Sequence, residues 1–129
     1  MSNFGTRAES DLITRGQAES VVKRVYDAVK LLCTEKGDVR DRLKVAALVL
    51  VILPEEDFPE YLQKDYKWIM TQVSRYKSQN PKFEGNIDAT MRRIKNARGQ
   101  IIAKRILKLY SDIQDIRGFP LMEYRNPKE

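Results

Sequence analysis

The sequence predicts an all-α protein: an antiparallel bundle of four main helices with a short extra helix at the N-terminus. Three observations carry that expectation. Apolar residues recur at steps of three and four in three separate segments. Short polar stretches with Gly or Pro divide them, as in antiparallel bundles. No second strand-like run exists to pair with the one apolar stretch that could be a strand.

The elements follow in order. Thr6-Arg7-Ala8-Glu9 has the form of a capping box and predicts the short N-terminal helix. Thr14-Arg15-Gly16-Gln17 repeats the form and opens a helix from Gln17 to Glu35, with Ala18, Val21, Val22, Val25, Ala28, Val29 and Leu32 on one face. Gly37 ends it. Cys33, at the edge of that face, reads as a small core hydrophobe. Asp38-Val39-Arg40-Asp41 starts a second helix to Leu53, where Pro54 stops it. From Leu43 onward only Lys44 is polar, so Val45 to Leu53 is expected at the centre of the bundle, with a buried strand as the rival reading. Asp57 with Glu60 is expected to cap a third helix from Pro59 to about Lys77, with a stripe of Leu62, Tyr66, Ile69, Met70, Val73 and Tyr76. Ser78 to Asn86, with Asn80-Pro81 and Gly85, reads as a loop. The last helix is expected from about Ile87 to Arg117, with Ile102, Ile106, Leu109, Ile113 and Ile116 inward, a kink or split at Gly99, and an end at Gly118 and Pro120. The tail holds Phe119, Leu121, Met122 and Tyr124, apolar enough to pack on the bundle or on a second subunit.

All 129 residues fit one domain able to bury a core. With 42% hydrophobic and 33% charged residues the chain reads as soluble and folded. The absence of histidine excludes a Ser-His-Asp or Cys-His site and imidazole metal ligation. One cysteine excludes a disulfide framework and fits a reduced, cytoplasmic setting. Met1 to Ser10 lacks the apolar stretch of a signal peptide. The longest apolar run, Val45 to Leu53, is far short of a membrane span. No Gly-rich phosphate loop, Walker lysine or nucleophile elbow is present. Glu55, Glu56 and Asp57 suit a helix start better than a metal. The expectation is therefore no enzyme, no cofactor and no metal.

The charge points elsewhere. Lys and Arg number 24 against 18 Asp and Glu, a net +6. Most of the excess falls in residues 78–117, and from Ala89 to Ser111 there are seven basic residues and no acid. On one continuous helix, Arg93, Lys104 and Lys108 would share a face about 22 Å long, flanked by Arg92 and Arg105. Such a row could meet several DNA or RNA phosphates. It equally suits a solvated helix face or an acidic protein partner. Arg98 and Arg105 lie on or near the apolar stripe, so each must find a carboxylate, carbonyl, ligand or subunit boundary, or snorkel outward. On the third helix, Tyr61, Lys64, Trp68 and Arg75 form a second face, suited to base stacking or to a protein interface, and also to a wider buried face with Trp68 at its edge. Gly85, Thr90, Met91, Arg93, Ile94 and Asn96 resemble the turn and recognition helix of bacterial repressor helix-turn-helix units. The resemblance departs before the turn, where Pro81 would break the first helix. The expected function is a non-enzymatic module that binds nucleic-acid backbone with little sequence preference. The alternative is a protein-interaction module. Either way the surplus of apolar side chains, Tyr61, Trp68 and the tail among them, leads us to expect a homodimer.

Overall fold

The computed structural model describes residues 13–82 and 84–125, with side chains as far as Gln114. It is all-α, with five α-helices and no strand among the described residues. The helices are α1 Arg15–Thr34, α2 Val39–Leu50, α3 Glu60–Val73, α4 Asn86–Arg93 and α5 Asn96–Arg125, and a one-turn 3-10 helix spans Glu55–Asp57. The expected helix at Thr6 lies outside the described residues.

Two starts follow from local chemistry alone. Thr14 Oγ1 accepts from Gln17 N–H (3.0 Å), and Gln17 Oε1 accepts from Thr14 N–H (2.8 Å). Asp38 and Asp41 form the same reciprocal box at the start of α2. Two orphan donors are met at the start of α1, and three at the start of α2, where Asp38 Oδ1 also accepts from Arg40 N–H (2.9 Å). Between the two helices Gly37 sits at φ +100°, the only positive φ among the described residues. A side chain there would be strained and would run into the Asp41 side chain that completes the α2 box.

α1 packs along α2 and α5, α5 also covers α3, and α4 lies on α2. The core is continuous across these contacts. Val21, Val25, Leu43, Leu50, Phe58, Ile69, Val73, Ile102, Ile106, Leu109 and Ile113 are completely enclosed. Each large aliphatic among them contributes about 1.5–3 kcal/mol of burial.

The structure corrects several expectations. α2 ends at Leu50, and Val45 to Leu53 is not the centre of the bundle: Leu48 (48% exposed), Val51 (51%) and Ile52 (58%) face outward. An unbroken apolar run has no periodicity to say which side meets solvent, and α2 has neighbours on only part of its circumference. Cys33 is exposed, not in the core. Asp57 does not cap α3. The 3-10 turn directs its carboxylate to Gln17 Nε2 (3.1 Å), and Pro59 precedes the helix without a side-chain cap. α3 stops at Val73, four residues early, because Tyr76 N–H is taken by Thr90 Oγ1 (2.9 Å), which turns the chain toward α4. α5 continues through Gly118 and Pro120 to Arg125. A helical proline forfeits one donor and crowds one carbonyl, which bends a helix without having to end it. The tail side chains lie outside the described residues.

The largest correction is the last helix. It breaks at Ile94, not at Gly99. Ile94 is extended (φ −76°, ψ 159°) with its side chain in the core, and its carbonyl accepts from Arg40 Nη1 of α2 (3.1 Å). That carbonyl would otherwise serve the N–H four residues on. Gly99 sits inside α5 for another reason: a Cβ there would lie 3.0 Å from Val39 Cγ1, so glycine permits the close approach of α5 to α2. The helix-turn-helix resemblance does not survive this arrangement. No helix occupies residues 74–84 among those described, Gly85 is the N-cap of α4, and the matched residues straddle two helices.

Candidate nucleic-acid interface

The break divides the basic row. Arg92 and Arg93 belong to the last turn of α4, where cations complement the carbonyl end of the helix. Lys104, Arg105 and Lys108 belong to α5. The single 22 Å face therefore does not exist, and each cation has to be judged by its own surroundings.

Several are already engaged. Arg92 makes a two-pronged pair with Glu84, its Nε and Nη2 each 2.7 Å from a carboxylate oxygen. The guanidinium holds the Glu84 carboxyl below its usual range, and Ser78 and Arg93 add to the effect. Lys108 bonds Asp112 (2.8 Å) and lies 3.6 Å from Asp65, and the Asp112 hydrogen bond raises its pKa. Elsewhere Lys23, Lys44 and Lys67 pair with Asp27, Asp88 and Glu55.

Arg98 and Arg105 resolve their position on the stripe by a shared aromatic partner. Arg105 lies over the Trp68 ring at 4.3 Å and Arg98 at 5.9 Å. Arg98 also donates to Gln72 Oε1 (2.6 Å), and Arg105 lies 3.9 Å from Asp65. Trp68 is half-buried against the core. It thus joins α3 to α5 with both arginines on it, and neither guanidinium is left as an unpaired buried charge. Tyr61 and Lys64 lie on the N-terminal half of α3, both exposed, and Arg75 lies beyond its end.

A different cluster emerges at the corner where α3 and α4 end and α5 begins. Arg75 and Arg93 lie over the Tyr76 ring, at 5.7 and 5.4 Å. Lys77 follows Tyr76, and Lys95 follows the break, its carbonyl accepting the first bond of α5 from Gly99 N–H (3.0 Å). Arg75, Lys77, Arg93 and Lys95 are all exposed, and none pairs with a carboxylate among the described residues. Thr90 fixes the corner. It is completely buried, accepts from Tyr76 N–H and donates to Tyr76 C=O (3.3 Å). Glu84 feels the charge of Arg93, but Arg92 occupies its carboxylate.

No family model, curated protein or solved structure matches the chain.

The corner joins two sequence stretches without an acid, residues 66–83 and 89–111. The second is visible as a charge run, and it supplied Arg93. The first carries Lys67, Arg75, Lys77 and Lys82 among aromatic and polar residues, which hides it from a search for dense charge. Only the fold brings the two together. Lys104, further along α5, is exposed and likewise unpaired among the described residues.

Among the described residues, no three acidic or cysteine side chains converge as metal ligands, and no helix is long and apolar enough to cross a membrane.

Proposed function

We propose that the chain binds nucleic-acid backbone, with little sequence preference, through the corner formed by Arg75, Lys77, Arg93 and Lys95 and extended along α5 by Lys104. The observation that carries this reading is the contrast in pairing. Arg92 and Lys108 spend their charge on carboxylates, whereas the corner cations have none among the described residues. Exposed, unneutralised cations release counterions from a polyanion most fully. Arg98 and Arg105 contribute to the local field while holding Trp68, and Arg92 contributes less because Glu84 cancels it.

The test is titration of a labelled mixed-sequence duplex at several salt concentrations. Changing Arg75, Lys77, Arg93 and Lys95 to Gln should weaken binding similarly on all sequences and flatten the salt slope by about one unit per lost contact. Changing the paired Lys23 and Lys67 to Gln should leave the slope nearly unaltered. Absence of binding by the unaltered protein at low salt ends the reading.

A second reading has its own support. Leu48, Val51 and Ile52 form an outward apolar patch at the end of α2. Contiguous exposed apolar surface favours protein contact, including a homodimer through a surface other than the third-helix face and tail from which the sequence leads one to expect it. Under this reading Leu48→Glu with Ile52→Lys lowers the mass seen by sedimentation at high micromolar concentration. A monomer before and after the change excludes the dimer.

A further inference from the structure

The aromatic rings beside the cationic corner are already occupied. Tyr76 has two guanidinium groups within 6 Å of its centroid, Arg93 at 5.4 Å and Arg75 at 5.7 Å. Trp68 has Arg105 at 4.3 Å and Arg98 at 5.9 Å, and part of its surface is packed on the core. The exposed ring on α3, Tyr61, is two turns nearer its start than Trp68, next to Glu60 and close in sequence to Glu55, Glu56 and Asp57. That is the acidic end of the helix, where phosphates are repelled.

Proteins that hold single strands without reading sequence rely on open aromatic faces. Each stacked base there is worth about 5- to 150-fold in affinity. A base arriving at Trp68 or Tyr76 competes with two guanidinium groups already at the ring, whose cation–π attraction is of similar order. Little net gain remains. The backbone contribution is untouched by this argument, and it favours the ligand with the denser, outward-facing phosphates. A duplex carries one charge per about 1.7 Å of axis, twice the density of one strand.

We infer that the ligand of this corner is double-stranded nucleic acid, gripped by its phosphates, and not a single strand held by its bases. The inference rests on the backbone-binding reading above. Arg75 and Arg93 then act twice: they lie over the Tyr76 ring and present guanidinium groups that donate to phosphate oxygens.

The chain has a single tryptophan, so Trp68 reports on stacking directly. Mixed-sequence duplexes of about 20 base pairs, as DNA and as RNA, and their separate strands are titrated into the full chain at low salt. Affinity and Trp68 emission are read together. The expected result is that a duplex binds at least tenfold more tightly than its own strands, with emission nearly unchanged. Strands that bind as tightly as the duplexes, with or without quenching of Trp68, overturn the inference and leave backbone binding standing. Binding of none of the four ligands overturns both.

Discussion

Tyr66 offers a sharp test of how α2 is terminated. It is buried on α3, stacked on Phe58 with centroids 4.4 Å apart, and its hydroxyl lies 2.7 Å from the carbonyls of both Leu50 and Leu53. One hydroxyl proton serves two acceptors left over at the end of α2. Leu50 C=O also accepts from Leu53 N–H (3.0 Å), so removing the hydroxyl falls chiefly on Leu53 C=O. Tyr66→Phe keeps the ring, the stacking and the apolar burial, and deletes only the donor. An unsatisfied buried acceptor costs about 1–3 kcal/mol. For a domain of this size each kcal/mol lowers Tm by roughly 3–5 °C. Urea unfolding followed by circular dichroism and by Trp68 emission should show a lower midpoint with an unchanged slope.

The same hydroxyl gives a signature in alkali. Burial, aided by the negative charge of Glu55, pushes its pKa up to about 12. An unfolded tyrosine ionises near 10. Above that pH the unfolded chain sheds this proton first and binds fewer protons than the native state, so stability falls as pH rises toward 12. Two pH units at about 1.36 kcal/mol each set a ceiling near 3 kcal/mol. Phenylalanine cannot ionise. The advantage of the native protein over Tyr66→Phe should therefore shrink steadily from pH 10 to pH 12, and subtracting the two curves removes the lysines and other tyrosines that titrate there. A difference below about 0.5 kcal/mol at pH 7, against the expected loss of about 1–3 kcal/mol, would refute the argument. So would a difference that stays constant across the alkaline range.

Two further outcomes follow from named contacts. Gly37→Ala should destabilise the chain by about 1–3 kcal/mol, since the positive φ disfavours any side chain and the new methyl meets Asp41; thermal unfolding decides it, and an unchanged Tm counts against the described turn. Thr90→Val is nearly isosteric but strands Tyr76 N–H and C=O, so it should cost about 1–3 kcal/mol and weaken duplex binding, whereas Thr90→Ser restores both; unaltered duplex affinity of folded Thr90→Val would show that Tyr76 does not organise the corner.

How much of this was legible in the sequence depends on the range of the interaction. The boxes at Thr14 and Asp38 are local, three residues across, and both formed as the residues dictate. The inward stripe of α1 and of Ile102, Ile106, Leu109 and Ile113 repeats with the helix and also formed. The break at Ile94 has no such signal, because Arg93-Ile94-Lys95-Asn96 contains neither Gly nor Pro. It depends on Arg40, 54 residues away, reaching the Ile94 carbonyl. Gly99 has the chemistry of a helix breaker, yet its role is room for Val39. The end of α3 likewise needs Thr90, from another helix, to turn Tyr76.

The same distinction governs the charge. A sequence counts cations, and a polyanion responds only to those that the fold has left unneutralised. Arg92 and Arg93 are neighbours in the chain and carry equal formal charge. Glu84 cancels the first at 2.7 Å, while the second faces a tyrosine ring. Lys104 and Lys108 sit one turn apart on α5, and Asp112 with Asp65 holds only the latter. Exposed pairs of this kind add little to stability, because solvent screens them. Their larger effect is on binding: a lysine already neutralised releases fewer counterions from a polyanion. The pairing pattern is thus a map of the expected footprint. It moves the expected centre of binding from a row running through Lys104 and Lys108 along α5 to the corner at its start, where carboxylates are missing from the chain segments on both sides.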